Sequence, residues 1–254
     1  MQREITSVTY AIAIENLTKE YTDVRAVDCL SISIREAEVF GLLGPNGSGK
    51  TTTINCLTGL LKQTKGTIKI CGFDSQTERS RAREVIGVSP QETAVYPYLT
   101  GRENVQLFGA LYSVPKEALD ARADEMMEKV GLLDEADRRA GKYSGGMKRR
   151  VSIAMALVND PKIILLDEPT VGMDPQSRRA IWDFIIELRD KGKTVLLTTH
   201  YMEEAEELCD RVGIINHGRL IALGSPDELR SKHGAKDLED VFIRLTGRRI
   251  REGS

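Results

Sequence analysis

Short runs of apolar, often β-branched residues recur along the chain at 10–15, 31–34, 39–43, 67–70, 163–167, 194–198 and 211–215. A strand with one face in water alternates apolar and polar positions. The runs before Gly44, before Asp167 and ending at Thr199 do not alternate; they are apolar almost throughout, as strands are in a sheet covered on both faces. Helical stretches are marked by their ends. Asp174-Pro175 sets an N-cap before a proline at the first helical position; Ile181, Phe184, Ile185 and Leu188 then share one face, and Gly192 closes the stretch. Ser225-Pro226-Asp227-Glu228 has the spacing of a capping box.

Between about 91 and 158 the strand signal fades. Thr100-Gly101-Arg102-Glu103 caps one helix, and Leu119, Ala123, Met126 and Val130 stripe another that stops at Gly131. A helix-rich segment between two strand-rich ones predicts an α/β core, 1–90 and 159–225, with a helical subdomain of 91–158 inserted and a helical tail of 226–254.

Two glycine-rich turns carry the candidate chemistry. The first is Gly44-Pro45-Asn46-Gly47-Ser48-Gly49-Lys50-Thr51, which follows an apolar strand and opens a helix, the context a phosphate-binding loop requires. Its glycines let successive backbone N–H groups converge on one anion at a helix N-terminus. Lys50 adds positive charge for the β- and γ-phosphates, Thr51 offers a hydroxyl to Mg²⁺, and Thr52 can donate to a phosphate. The metal also needs a carboxylate, which Asp167 supplies at the end of the run 163–167. Glu168 follows directly and is predicted to polarise the attacking water. No Asn-Lys-x-Asp sequence for guanine is present, so the base is expected to be adenine, stacked on Tyr21 upstream of the loop.

Composition narrows the field without redirecting it. The 254 residues are 41% hydrophobic and 29% charged with a net charge of −2, which gives no basic field for nucleic acid. Cys29, Cys56, Cys71 and Cys209 have no metal spacing and read as buried thiols in a reducing cytosol. The N-terminal stretch has no apolar core of signal-peptide length, and no run approaches the ~20 apolar residues that span a bilayer.

The second glycine turn, Tyr143-Ser144-Gly145-Gly146-Met147, needs a separate explanation, since one cradle already serves one nucleotide. With it, the order of Tyr21, the phosphate loop, Gln91, Asp167-Glu168, Val171-Gly172-Met173-Asp174 and His200 resembles the ATP-binding subunit of an ABC transporter over nearly the whole length. The resemblance implies a P-loop NTPase core, a mixed sheet flanked by helices, with an antiparallel β region and the inserted helical subdomain. It implies ATP and Mg²⁺ as cofactors and a head-to-tail pair of ATP-binding subunits, expected to be identical. In that pair Ser144, Gly145 and Gly146 of one subunit close over the ATP held by the other. Gln91 would sense the γ-phosphate through Mg²⁺ or water, Asp174 would order the site across the interface, and His200 would contact the γ-phosphate.

Family members commonly have leucine and glutamine where this chain has Tyr143 and Met147, and leucine in place of Met173. With the run 93–104 and the tail 238–248, these departures are similar to the drug-resistance and ABC-2-type exporters. That implies an integral-membrane permease as partner, docking near 91–104 where Tyr96-Pro97-Tyr98 offers aromatic surface, and a peripheral position on the cytoplasmic face of the cell membrane. Leu238, Val241, Phe242 and Leu245 form one face of the tail helix, read either as docked on its own domain or as a regulatory contact. Lys148-Arg149-Arg150 reads as a solvated helix face. The alternative function is a soluble assembly ATPase of the same fold, such as those of iron–sulfur cluster assembly. A chromosome ATPase would need a long coiled-coil insertion and a translation-factor ATPase a second P-loop, and the sequence holds neither.

Overall fold

The computed structural model describes residues 10–247. The ends of the first core segment and of the tail, 1–9 and 248–254, lie outside the described residues. Two sheets carry the fold. The larger has six strands in the order β10-β9-β3-β8-β7-β6, built from β3 (Val39–Leu43), β6 (Ile86–Ser89), β7 (Ile163–Asp167), β8 (Thr194–Thr199), β9 (Arg211–Asn216) and β10 (Arg219–Gly224). Its pairs are parallel except for β10 against β9. The smaller is antiparallel, in the order β2-β1-β4-β5, from β1 (Tyr10–Glu20), β2 (Arg25–Arg35), β4 (Lys65–Ile70) and β5 (Phe73–Asp74).

The unbroken apolar runs are explained by two cores, one on each face of the larger sheet. Val39, Leu43, Ile164, Leu166, Val195 and Leu197 pack into one. Phe40, Leu42, Ile163, Leu165 and Leu196, which alternate with them, pack into the other beneath the antiparallel sheet. Every residue of β3, β7 and β8 is buried. Each such aliphatic side chain contributes about 1.5–3 kcal/mol on burial, so these strands hold the two layers together and fix the positions of the loops at their carboxyl ends.

Helix α1 (Lys50–Leu57) follows β3, and α2 (Arg79–Glu84) precedes β6. Between β6 and β7 come α3 (Gly101–Leu111), α4 (Lys116–Lys129) and α5 (Gly145–Leu157). Thr100 forms the expected capping box with Glu103, and Gly131 takes φ +65° just past α4. Downstream lie α6 (Pro175–Asp190), α7 (Met202–Leu208), α8 (Pro226–His233) and α9 (Leu238–Thr246). Asp174 caps α6, and Ser225 caps α8 in a capping box. Leu238, Val241 and Phe242 are buried in the first core, so the tail face is covered by its own domain.

Helix α5 seats directly on β6. A Cβ built on Gly87 would stand 1.9 Å from the Ala156 carbonyl oxygen. Gly87→Ala is expected to cost about 1–3 kcal/mol by overpacking, lowering Tm by about 2–4 °C per kcal/mol in a chain of this size. An unchanged thermal melt would show that α5 is not held this closely. One expectation is corrected here. Cys56 and Cys209 are buried, but Cys71 is only half-buried and Cys29 is exposed on β2, where φ is +52° and the pairing with β1 is irregular.

Candidate nucleotide site

The loop between β3 and α1 is shaped by backbone that only glycine allows. Gly49 takes φ +106°, and a Cβ there would lie 2.4 Å from the Ala26 carbonyl oxygen of β2. The loop is braced from below, because Gly218 N–H at the β9–β10 turn donates to the Ser48 carbonyl at 2.9 Å. Lys50 starts α1 and is buried, its Nζ donating to the carbonyls of Gly44 at 2.8 Å and Pro45 at 3.3 Å. No side chain caps this helix, so the cradle presents main-chain N–H groups to whatever enters. The Ser48 hydroxyl beside it is buried and lacks a hydrogen-bond partner among the described residues.

A cleft of about 400 Å³ opens above the loop, lined by Asn46, Lys50, Thr51, Thr52, Gln91 and Glu168 among others. β3, β7 and β8 bring these parts together because all three end on the same side of the parallel sheet. Glu168 is 4% exposed and is the meeting point. Its Oε1 lies 3.4 Å from Lys50 Nζ and 3.3 Å from His200 Nδ1, and its Oε2 accepts from Gln91 Nε2 at 3.2 Å. Burial pushes the Lys50 ammonium below its ordinary value, while the Glu168 and Asp167 carboxylates pull it back up.

Thr198, on β8, was not singled out by sequence. Its hydroxyl donates to Asp167 Oδ1 and accepts from the Glu168 N–H at 3.0 Å, so one side chain orients both acids. The only signal was a threonine opposite Asp167 in a strand pair, and that register is not readable from one sequence.

Other predicted residues lie elsewhere. Ser144 caps α5 through Met147 N–H at 3.2 Å, and Ser144 and Gly145 are exposed, with Gly146 half-buried. Asp174 is exposed at the start of α6, its carboxyl held below the usual range by hydrogen bonds from Ser177. None of these lines the cleft. Tyr21 is half-exposed at the β1–β2 turn with Lys19 Nζ 5.0 Å from its ring centroid; it is neither packed in the core nor part of the cleft lining.

The solvated face expected of Lys148-Arg149-Arg150 is corrected. Arg149 is 4% exposed and buries its guanidinium among main-chain carbonyls, while Arg150 turns back to the carbonyls of Val130 at 3.0 Å and Gly131 at 3.1 Å. A charge run says nothing about which of its members points inward; α5 is packed on the sheet along one side, and that side includes position 149.

Oxygen donors near the cradle suit a hard cation: the Asp167 carboxylate, the Thr51 hydroxyl and the Gln91 amide carry no soft ligand.

Comparison with known proteins gives a consistent picture. The family model described as ABC transporter matches residues 27–171. The linearmycin resistance ATP-binding protein of Bacillus subtilis (strain 168) is 44% identical over 94% of this chain and 75% of its own length. The Nod factor export ATP-binding protein I of Ralstonia nicotianae is 43% identical over 92% of this chain and 73% of its own. Among solved structures, a dimeric ATP-binding cassette in a post-hydrolysis state bound to ADP and Pi superposes with TM-score 0.79 at 30% identity, covering 84% of this chain and 98% of that one.

Proposed function

This chain belongs to the ABC transporter family, and we propose that it is the subunit that hydrolyses ATP to drive export through a separate membrane permease. The observation that carries the reading is the convergence of Lys50, Gln91 and His200 on Glu168 in a cleft whose floor is the phosphate loop. The exposed Ser144 cap, set apart from that cleft, supports a second subunit: a helix N-terminus with free N–H groups suits the γ-phosphate of ATP held by another copy. Relatives named for resistance and export support the direction of transport.

The protein's share of the chemistry is positioning and charge. Main-chain N–H groups of the loop and Lys50 hold the phosphates. Glu168 accepts the proton of the attacking water, Gln91 keeps its carboxylate aimed into the cleft, and His200, beside that carboxylate, contacts the γ-phosphate. Asp167, Thr51 and Gln91 would hold Mg²⁺, which when bound neutralises phosphate charge. Tyr21 stacks on the adenine, and Asp174 orders the interface. Closure over ATP and loosening after hydrolysis differ in the contacts Ser144 makes with the γ-phosphate, and that difference in affinity is available to move the permease.

The permease meets the chain at the loop after β6. Tyr98 is 84% and Tyr96 52% exposed, and Asn104 pins the loop by accepting from Tyr96 N–H at 2.7 Å and donating to its carbonyl at 3.1 Å. A tagged chain recovered from gently solubilised membranes is expected to bring down a protein with several membrane spans, and Tyr96→Glu to lose it while keeping basal ATPase activity. Recovery of soluble partners alone, with the chain absent from membranes, would move it to the assembly ATPases.

A further inference from the structure

Arg149 sits five positions after the Ser144 cap on α5, yet its guanidinium reaches the loops behind the candidate base. Nε donates to the Pro169 carbonyl at 3.3 Å. One Nη donates to the carbonyls of Pro90 and, at 2.9 Å, Gln91; the other donates to those of Asp167 and Glu168. No carboxylate lies within ion-pair distance of it among the described residues, so its recognition is of backbone. Burying a cation this way is costly unless every donor is used, and a planar fork uses them where an ammonium cannot.

What the fork holds is itself strained. Glu168 takes φ +52°, a left-handed conformation that costs a non-glycine residue of order 1–3 kcal/mol and persists only where neighbours impose it. Its N–H is fixed by Thr198 and its carbonyl by Arg149. The same guanidinium fixes the carbonyl of Gln91, whose side chain touches the Glu168 carboxylate.

We propose that Arg149 is a positioning residue for hydrolysis, holding the strained Glu168 peptide and the Gln91 loop in the arrangement that aims the Glu168 carboxylate at the attacking water. The proposal rests on the reading of Glu168 as base given above. Arg149 lies on the same helix that Ser144 caps, so one element carries both the residue that holds the base and the proposed cap for the partner's nucleotide.

Arg149→Met is expected to lower kcat about 100-fold, the scale of a 1 Å misplacement. KM and the Kd for a fluorescent ATP analogue should stay within about threefold, because the cradle is untouched. Arg149→Lys should recover part of kcat, since it keeps charge but spans fewer carbonyls. In a Glu168→Gln background neither substitution should lower the residual rate further, because a residue acting through the base has nothing left to act on. The proposal is overturned if the folded variants keep full kcat, or if kcat, Kd and Tm fall together and the loss repeats at full size over Glu168→Gln. It is also overturned if both variants fail to fold, which would make Arg149 a structural pin. Rapid hydrolysis by Glu168→Gln alone would remove the base assignment and this proposal with it. A slow Glu168→Gln beside normal Arg149 variants would remove only the proposal.

Discussion

Glu168→Gln is expected to lower ATP hydrolysis by about 10²–10⁴-fold, the range of general-base catalysis, while ATP still binds and an ATP-loaded dimer accumulates. Glutamine keeps the size of the side chain and can still meet Gln91, but it cannot take a proton and carries no charge toward Lys50, 3.4 Å away. Removing a buried negative charge from the wall of a cleft that receives a triphosphate lowers repulsion, so affinity should hold or rise. On the proposed clamp, closure needs the γ-phosphate and opening needs its loss, so a variant that binds without cleaving should stay closed. Phosphate release and size-exclusion chromatography with ATP and Mg²⁺ check both halves. Hydrolysis at the wild-type rate would remove Glu168 as base, and slow hydrolysis without dimer would separate the chemistry from the clamp.

The residues behind this prediction were legible to very different degrees. The strands that lead into Gly44 and His200 and end in Asp167 were visible because a sheet packed on both faces demands unbroken apolar runs, and β3, β7 and β8 are buried along their whole length. Caps at Thr100, Asp174 and Ser225 were visible because a helix N-terminus uses few residue types. β6 was missed: it has four residues, one of them Gly87, and its place comes from parallel pairing with β7. β10 was missed because it is a half-exposed edge strand whose four consecutive apolar residues do not alternate with polar ones. β1 and β2 run past their expected limits through irregular pairing at Asn16 and Cys29, where positive φ interrupts the alternation. At the site, the loop and acids form local motifs, whereas Thr198 and Arg149 act on backbone atoms far along the chain. No residue pattern encodes such a partner; only the packing of α5 and β8 supplies it.

Lys50→Ala is expected to abolish measurable nucleotide binding, with affinity down by more than about 100-fold. Each charge-assisted hydrogen bond to phosphate contributes about 1.5–3 kcal/mol, and Lys50 is the buried ammonium of the cleft lining, reaching over the loop from the first position of α1. Without nucleotide that ammonium is shared between the Gly44 and Pro45 carbonyls and Glu168. An incoming phosphate therefore competes with Glu168 for Lys50, and binding exchanges one carboxylate partner for phosphate oxygens. The alanine variant loses that exchange and also the tie that closes the loop on itself. It still retains Gln91 and His200 against Glu168, and the glycine-shaped loop braced by Gly218, so it should fold. Circular dichroism establishes the fold and titration with a fluorescent ATP analogue measures the affinity. Wild-type affinity in a folded Lys50→Ala would mean that the main-chain N–H groups suffice, and Lys50 would then act only once the γ-phosphate begins to leave.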